Sequence, residues 1–447
     1  MDCRKATVVV DLGFGDAGKG TIVDYLARKC QAPVVVRFNG GPQARHHVVT
    51  RTGQCHGFAQ FGSGSFVPGA RTHLSRFMLF DPIELNHEWR WLDRYGLGDV
   101  LDRLTVDEDA IMVTPLHALA NTIRETLRGD DRHGTCGMGI GETVAHSLAF
   151  PEEAIHARDM RDGNVLVRKI ARIQDRLFAE LWPRVPELPD DALRSLADKL
   201  IDPRYPANWT DEVVRFGRKI DVCDSERLAH FARESDLLFE GAQGVLLDEW
   251  YGFHPHTTWS TTTFANALTL LDEIKYGECV ERIGVMRAYH TRHGEGPFPT
   301  ADALLTRIIP DRHNDNMGWQ GHFRVGWFDM VLARYALAVS GGADALAITN
   351  LDRFRTVPER KVCTAYRAPG GDFIDRLTVK SELTDLTHQE ALTHLLHQVE
   401  PQYEDAPMND EQYLQMIERD LGVPVAITSY GPTAADKRMR LPAVLAA

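Results

Sequence analysis

A lysine and an aspartate lie within a glycine-rich stretch near the start of the chain. Residues 6–21 read ATVVVDLGFGDAGKGT. Val8–Val10 predicts a buried strand, and Thr21–Lys29 has apolar residues at helical spacing. The spacing of Gly13, Gly18 and Lys19 is that of a phosphate-binding loop. In such a loop, backbone N–H groups, a helix N-terminus and the lysine ammonium group bind phosphate.

Two features of this loop are unusual for phosphate binding. Gly20 stands where a serine or threonine hydroxyl usually binds Mg²⁺, so that hydroxyl is either missing or displaced to Thr21. Asp16 places a carboxylate among the phosphates, which it would repel unless it binds a metal ion or accepts a proton. The alternative is a glycine-rich turn with a surface lysine, but strand, spacing and helix together favour phosphate binding.

A second group of polar residues follows the next predicted strand, Val34–Phe38. After the turn Asn39–Pro42 come Gln43 and then Arg45–His47, with two adjacent histidines. Open α/β sheets bind ligands at the carboxyl ends of their strands, which is where this group falls. A single histidine is more often structural than catalytic, so the residues alone leave both roles about equally open.

Composition narrows the class of protein. The chain has 447 residues, 43% of them hydrophobic and 25% charged, as in ordinary soluble globular proteins. Its net charge of −13 argues against a general nucleic-acid or acidic-membrane binder. We expect no signal peptide, and the apolar tract Met330–Leu351 is broken by charges and glycines into a predicted helix, turn and strand. Seven cysteines without a Cys-x-x-Cys pair suit a reduced, cytoplasmic setting.

The rest of the chain repeats one pattern, a short apolar strand that ends in glycine and polar residues. Further strands of this kind are predicted at Leu237–Phe239, Ile283–Met286, Ala345–Leu351 and Val423–Ile427. The pattern predicts an α/β fold, with one large domain over residues 1–447 and a mostly parallel, twisted central sheet that binds its ligand along the carboxyl edge. Residues 151–235 are predicted to be a mainly helical insertion. The glycine-rich loop His133–Gly141 could close over a ligand or simply connect two elements.

The strand ends, taken together, resemble those of the adenylosuccinate synthetase family. In chain order the matching segments are Gly15–Gly20 (GDAGKG), Gly40–His47 (GGPQARHH), Glu240–Gly244 (EGAQG) followed by Leu247 and Asp248, Thr291–Pro299 (TRHGEGPFP), Gly326–Asp329 (GWFD), Leu351 and Asp352, and Ser429–Pro432 (SYGP). The seven segments occur in the family's order and span almost the whole chain, which argues strongly against accidental similarity.

This resemblance implies a GTP-dependent ligase that joins IMP and aspartate and releases GDP and phosphate. A purine 6-oxygen is a poor leaving group, so it would first be phosphorylated. Asp16 would accept the N1 proton, and His46 would donate a hydrogen bond as charge builds up during phosphoryl transfer. Mg²⁺ would bridge the GTP phosphates, held by the Asp16 carboxylate and the backbone carbonyl of Arg45. Asp352 would bind guanine.

The resemblance also assigns roles residue by residue and implies a homodimer. It makes Asp16, His46 and Gln243 catalytic. The expected GTP contacts are Gly15, Asp16, Ala17, Gly18, Lys19, Gly20, Thr21, Arg45, His46, His47, Asn350, Leu351, Asp352, Ser429, Tyr430 and Gly431. The expected substrate contacts are Gln43, Cys136, Gln243, Leu247, Thr258, His293, Gly321, His322 and Arg324.

The sequence departs from the family pattern mainly where the substrates would bind. Cys136 replaces a residue with a hydroxyl, Met138 and a position near Phe150 replace arginines, Asn350 replaces a lysine, and Ala17 replaces a glutamate. The family's arginine-rich loop reads Gly321–Val325 here and keeps only one arginine, Arg324. Each lost charge-assisted hydrogen bond is worth about 1.5–3 kcal/mol. Either other cations replace the lost groups, or the substrates differ from IMP and aspartate. The candidate cations are Arg324, His322, His47, Arg45 and Arg132.

Three alternatives therefore accompany IMP and aspartate. A divergent paralogue could run the same carbonyl activation on another nucleotide or with another amine. A P-loop GTPase switch would carry Asn-Lys-x-Asp and a hydroxyl residue after Lys19, and both are absent here. A catalytically silent paralogue would bind nucleotide without turnover, against which the intact Asp16, Lys19 and His46 weigh.

Overall fold

A large, mostly parallel sheet organises the molecule. The computed structural model describes residues 5–30, 33–129, 132–311 and 321–440. Its strands are β1 (Lys5–Asp11), β2 (Val34–Arg37), β3 (His46–Val49), β4 (Cys55–Phe58), β5 (Arg71–Leu74), β6 (Leu104–Asp107), β7 (Asp221–Cys223), β8 (Leu237–Glu240), β9 (Cys279–Arg287), β10 (His290–His293), β11 (Phe323–Gly326), β12 (Phe328–Asp329), β13 (Ala345–Thr349), β14 (Lys361–Arg367), β15 (Phe373–Ile374), β16 (Glu400–Asp405), β17 (Val425–Ser429) and β18 (Lys437–Met439).

Ten of these strands form the central sheet, in the order β18-β17-β13-β9-β1-β8-β2-β5-β6-β7. All neighbours are parallel except β17 and β18. The prediction of an α/β fold with a mostly parallel sheet is therefore confirmed. The remaining strands form the hairpin β3–β4, a two-stranded antiparallel sheet of β10 and β11, and a separate small sheet of β12 and β14–β16.

The helices cover the sheet on both faces. They are α1 (Lys19–Ala27), α2 (Pro82–Asp93), α3 (Pro115–Arg128), α4 (Ile140–Ala149), α5 (Gly163–Leu181), α6 (Asp191–Ala197), α7 (Tyr205–Gly217), α8 (Glu226–Glu234), α9 (Ala265–Glu273), α10 (Ala303–Ile308), α11 (Met330–Val339), α12 (Leu351–Phe354), α13 (Leu386–Gln398) and α14 (Asp410–Leu421). None of the described helices is long and apolar enough to cross a membrane.

Strand β1 lies at the centre because both of its faces are apolar. Val8, Val9 and Val10 are fully or almost fully buried, and β8 and β9 flank the strand. Val9 packs against α1, while Val8 and Val10 belong to the core on the opposite face, which contains α9 and α11. A strand covered on both faces gives the continuous β-branched run seen in the sequence.

Helix α1 begins earlier than its apolar spacing indicates. It runs from Lys19 to Ala27, whereas the sequence pattern predicts Thr21–Lys29. Gly18 precedes it in the left-handed conformation, at φ 89°, which a residue with a side chain rarely adopts. The glycine lets the chain turn abruptly, so Lys19 already lies in the first helical turn.

The region from 151 to 235 is mainly helical, and it contains α5 to α8. Its helices α5 and α7 pack with α2 and α3 in a hydrophobic core of their own, which includes Leu166, Ile170 and Val213. The region also supplies β7, which pairs with β6 at the edge of the central sheet and which the sequence pattern does not predict. Its description as an insertion within one domain of residues 1–447 stays a prediction, and residues 1–4 and 441–447 lie outside the described part.

Buried histidines make the fold sensitive to acid. Burial lowers the pKa of His73 and His290 to about 4 and that of His117 to about 3. The unfolded chain, with ordinary histidine pKa values, binds more protons below pH 6.5, so the free energy of unfolding should fall as the pH drops from 6.5 to 4. Each such histidine adds about 1.4 kcal/mol per pH unit to the slope.

We expect His290→Phe to flatten this slope, because it removes a buried ring that has no hydrogen-bond partner among the described residues. Denaturant unfolding between pH 7 and pH 4.5 measures the effect. The exposed His230 provides the control, His230→Phe. Equal slopes in the two variants would contradict this explanation of acid sensitivity.

Candidate active site

The glycine-rich loop between β1 and α1 is held from below by Asp11. One oxygen of this carboxylate accepts the backbone N–H of Gly13 at 2.8 Å, and the other accepts that of Ala17 at 2.8 Å. The Thr349 hydroxyl at the end of β13 donates to the Ala17 carbonyl at 2.6 Å. The loop is thereby fixed to β1 and β13, two strands of the sheet that lie on either side of β9.

Asp16 lies at the tip of this loop with its side chain exposed. Its backbone is left-handed, at φ 59°, and its carbonyl accepts Arg287 Nε at 2.6 Å. The carboxylate itself has no hydrogen-bond partner among the described residues. Desolvation by the surrounding protein raises the pKa of Asp16, although Arg287 and Lys19 oppose the shift. A carboxylate of this kind is suited to accept a proton or bind a metal ion.

Lys19 does not extend into solvent. Its ammonium group lies 3.1 Å from Asp11 Oδ2 and 2.5 Å from the Gln243 carbonyl, and only 3% of its side chain is exposed. Two of its three hydrogens are thus directed to protein acceptors. The side chain joins the first and eighth strands at the point where the phosphate loop begins.

His46 forms a buried pair with Glu240 at the end of β8. His46 Nδ1 lies 2.5 Å from Glu240 Oε1, and Glu240 also accepts the backbone N–H and the hydroxyl of Ser63. Burial opposes ionisation of Glu240, but His46 and Arg37 together with Ser63 lower its pKa to about 2. Burial lowers the pKa of His46 to about 4 despite Glu240.

This pairing fixes the orientation of the imidazole ring. With Glu240 ionised, His46 Nδ1 carries the shared hydrogen, and Nε2 remains buried without a partner among the described residues. His46 packs on the first turn of α1, since a Cβ placed on Gly20 would come within 2.6 Å of His46 Cβ and 2.9 Å of Ser63 Oγ. Glycine at 20 is therefore required by the close approach of the His46 Cβ and the Ser63 hydroxyl.

Gln43, Gln243, Leu247 and Thr258 lie together beside the Gly40–Gly41 turn. The Thr258 hydroxyl donates to Gln243 Oε1 at 2.8 Å, and its N–H donates to the Leu247 carbonyl at 2.8 Å. Gln43 Oε1 is buried without a partner among the described residues. The family resemblance implies that these residues bind substrate. The fold places them side by side, with Gln43 Oε1 among them as an acceptor to which no described residue donates.

The loop before α4 reaches the same turn, but through apolar contacts. Met138 packs against Leu79, Val113 and Ile140, and Ile140 lies against Gly41. Cys136 is half-buried, and burial raises the pKa of its thiol. Neither side chain supplies a cation at neutral pH.

A cation lies next to Phe150, the residue that follows α4. The Arg176 guanidinium stacks 3.7 Å from the centre of the Phe150 ring. It also forms two hydrogen bonds with Glu153, at 2.7 and 2.8 Å. Its charge is therefore already balanced within the chain.

The two-stranded sheet of β10 and β11, with the two residues just before β11, carries four further predicted residues. Arg324 Nη2 donates to the Gly294 and Gly296 carbonyls at 2.7 and 3.0 Å, so this group stabilises the segment that follows β10. His293 Nε2 is buried without a partner among the described residues. His322 is exposed and Gly321 is left-handed, at φ 85°.

The residues predicted to bind guanine follow the neighbouring strands β13 and β17. Asn350 is left-handed, at φ 57°, and Asp352 is partly exposed. Lys437 Nζ donates to the Gly431 carbonyl at 2.8 Å, and Asp352 is among the acidic groups close to it. Tyr430 lies between the guanidinium groups of Arg355 and Arg438, at 4.7 and 4.8 Å.

Other predicted GTP contacts fall into two kinds. Arg45 and His47 are exposed on the rim, and Ser429 is buried with its hydroxyl on the Gly431 carbonyl. The Leu351 side chain is fully buried in the hydrophobic core, so only its backbone is available to a nucleotide. Leu351 differs from the exposed residues because it is the first residue of α12 and its side chain is buried in the core.

The residues present fit a magnesium ion bound together with phosphates. The described residues contain no group of three or more His, Cys, Asp or Glu side chains that could hold a metal ion. Mg²⁺ usually takes one or two carboxylates and completes its shell with phosphate oxygens and water. Asp16 offers a carboxylate without a partner, and the Thr21 hydroxyl is buried and also unpartnered among the described residues.

A family model described as adenylosuccinate synthetase matches residues 8–437. The chain belongs to this family. Its relatives named adenylosuccinate synthetase include those of Chlorobium chlorochromatii, 31% identical over 96% of this chain and 95% of the relative, and of Cyanothece sp., 32% identical over 98% and 97%. It is accordingly an adenylosuccinate synthetase-like enzyme, a ligase of purine biosynthesis.

Two solved structures of family enzymes share this fold. The first is a fully ligated adenylosuccinate synthetase from Plasmodium falciparum, with a TM-score of 0.78, 20% identity and coverage of 97% of this chain and 99% of that one. The second is the succinoaminodeoxyadenylate synthetase of cyanophage S-2L bound to dGMP and dATP, with a TM-score of 0.54, 17% identity and coverage of 98% and 95%. At these identities the likeness concerns the fold.

Sequence reasoning missed Asp11, Ser63 and the partner role of Glu240. Asp11 and Glu240 each end a buried apolar strand, and an acidic residue at that position is a usable signal for a site. Ser63 lies in a glycine–serine loop, whose pattern says nothing about which hydroxyl meets Glu240.

The contact between α1 and His46 predicts the effect of Gly20→Ala. Alanine favours helices by about 1 kcal/mol over glycine, so helix propensity alone predicts a more stable protein. We expect the opposite, because overpacking costs about 1–3 kcal/mol and displaces His46. Thermal unfolding and steady-state turnover measure both effects.

Gly277→Ala is the matched control, since a Cβ at Gly277 meets nothing within 4 Å. A Gly20→Ala protein that is as stable and as active as the Gly277→Ala protein would show that the close contact is unimportant.

Proposed function

We propose that this enzyme uses GTP to join IMP and L-aspartate, giving adenylosuccinate, GDP and phosphate through a 6-phosphoryl-IMP intermediate. The observation that carries the proposal is the pair of groups around the phosphate loop. Asp16 presents a carboxylate without a partner at the loop tip, and His46, oriented by Glu240, packs on the first turn of α1. Family membership supports GTP-dependent ligation.

Activation of the purine is the first task. Asp16 would accept the N1 proton, which raises the nucleophilicity of the 6-oxygen toward the terminal phosphate of GTP. The raised pKa of Asp16 brings it nearer to that of the group it must deprotonate, which favours proton transfer. Gln43 and Gln243 would bind the nucleotide beside the Gly40–Gly41 turn.

Stabilisation of the transferred phosphoryl group is the second task. The negative charge of the bound phosphates would favour the imidazolium form of His46, whose Nε2 would then donate to the phosphoryl group while Glu240 balances the charge through Nδ1. Lys19 would donate to the phosphates from its ammonium group and contribute its charge. Mg²⁺, held by Asp16 and the Arg45 carbonyl, supplies Lewis-acid neutralisation of phosphate charge when it is bound.

Recognition of the two remaining partners completes the reaction. Asp352 would accept hydrogen bonds from guanine N1–H and its 2-amino group, with Ser429–Gly431 beside the base. The aspartate amine would then displace phosphate from C6. His293, His322 and Arg324, in and beside the two-stranded sheet of β10 and β11, are the candidates for its carboxylates.

A coupled assay of phosphate release with GTP, Mg²⁺, IMP and aspartate tests the proposal. We expect Asp16→Asn to lower kcat by at least about a hundredfold, since general-base catalysis contributes roughly 10²–10⁴-fold. Asp272→Asn on the exposed face of α9 should behave as the unmodified protein. Turnover by Asp16→Asn close to that of the control would exclude Asp16 as the base.

A second candidate is the same chemistry on another nucleotide or with another amine. Two observations favour it: Met138 packs in an apolar cluster, and Arg324 Nη2 is engaged by two carbonyls. The assay should therefore also include dGMP and GMP as acceptors, and other amino acids as amines. Phosphate release with one of these and none with IMP and aspartate would replace the first proposal by the second.

Assembly and location are further parts of the proposal. We expect a homodimer in the cytoplasm, because the family resemblance implies a dimer and because the six cysteines of the described residues are free thiols. Light scattering on the purified protein measures the mass directly. A monomer that is active at assay concentration would contradict the dimer.

A further inference from the structure

Asp11 occupies the groups that a phosphate chain would otherwise bind. Its two oxygens take three donors: the N–H groups of Gly13 and Ala17, and the Lys19 ammonium. The carboxylate is fully buried. Backbone amides of the loop and the loop lysine are the donors that a phosphate-binding loop offers to its ligand.

The surroundings of Asp11 leave Lys19 as its direct counter-ion. A small cavity, with about 10 Å³ of room for the centre of a water molecule, separates Asp11 and the loop from Arg287, Tyr289 and His290. Arg287 pairs with Asp311 at 3.1 Å, so its charge is balanced elsewhere. Lys19 therefore already forms an ion pair with Asp11 before any nucleotide binds.

We propose that Asp11 is an internal competitor of the nucleotide's phosphate chain, which lowers the affinity of the enzyme for GTP and for GDP. A carboxylate and a phosphate are both anionic acceptors, and both would use Lys19 and the Ala17 N–H. This inference rests on the proposed function only in taking GTP as the nucleotide. Its consequence for turnover is faster release of GDP.

Two opposite effects decide the sign of an Asp11→Asn substitution. Removal of the Asp11 carboxylate frees the Lys19 ammonium. It also removes a negative charge close to the phosphate chain, and both changes strengthen phosphate binding. The substitution also loosens Lys19, which weakens binding by the side-chain entropy that must then be lost. The charge effect is the larger at this short range, because the site is buried and poorly screened.

We therefore expect Asp11→Asn to bind GTP, GDP and inorganic tripolyphosphate at least about tenfold more tightly than the unmodified enzyme. Titration calorimetry on the full-length protein measures all three. The KM for GTP should fall while kcat does not rise. A residue with a merely structural role would lower the melting temperature without tightening the binding of phosphate chains.

Asp329→Asn is the matched control. Asp329 is also fully buried and also accepts three donors, the N–H groups of Val331 and Leu332 and the Tyr366 hydroxyl, but it lies at the start of α11. Its substitution should leave the three dissociation constants within about twofold. Unchanged or weaker binding by folded Asp11→Asn would overturn the proposal.

A second measurement needs no variant. In a crystal of the unmodified enzyme with GDP, the proposal expects Lys19 Nζ to lie on a phosphate oxygen and more than 4 Å from Asp11. A bound phosphate chain with the Lys19–Asp11 pair and the Ala17–Asp11 hydrogen bond both intact would overturn it. Tripolyphosphate separates the two proposals, because it tests Asp11 whatever base or acceptor the enzyme prefers.

Discussion

The phosphate loop and the residues after β8 pack against each other through their backbones. A Cβ on Gly244 would overlap the Gly13 carbonyl and the Gly15 nitrogen, so only glycine fits there. Leu246 N–H donates to the Gly13 carbonyl at 3.0 Å, and Lys19 donates to the Gln243 carbonyl. This contact joins the phosphate side to Gln243 and its substrate-side neighbours, and a parallel sheet supplies it because β1 and β8 are adjacent.

Three basic side chains around the phosphate loop are each balanced by a carboxylate, whereas Asp16 is not balanced by a cation among the described residues. Lys19 pairs with Asp11, His46 with Glu240 and Arg287 with Asp311. Buried charges are costly unless paired and hydrogen-bonded, so these pairs make a charged site compatible with a stable fold. The Asp16 carboxylate, by contrast, has no partner among the described residues. An unpaired carboxylate beside a phosphate loop is unfavourable until a ligand supplies a proton or a cation, which is what the proposed reaction requires.

Much of the fold was predictable, because buried parallel strands read as apolar runs and glycine-rich ends mark the carboxyl edge. Side-chain partners were not, since they depend on which strands become neighbours. Nothing in the local pattern says that His46 meets Glu240 and Ser63, or that Asp11 takes Lys19. The resemblance makes Leu351 a GTP contact, and the structure adds that its side chain lies in the core, so only its backbone is available for that contact. The start of α1 was predicted two residues late, because the apolar spacing does not show that Gly18 adopts the left-handed conformation from which the helix begins.

Positional isotope exchange tests the central claim most directly, namely that phosphate moves onto a carbonyl oxygen before the amine arrives. GTP carrying ¹⁸O in the bridge between its β- and γ-phosphates is incubated with the enzyme, Mg²⁺ and IMP, without aspartate. Our account predicts that the label spreads to the non-bridging β-oxygens with the unmodified enzyme and stays in place with Asp16→Asn. An unscrambled label, in an enzyme that turns over once aspartate is added, would contradict it.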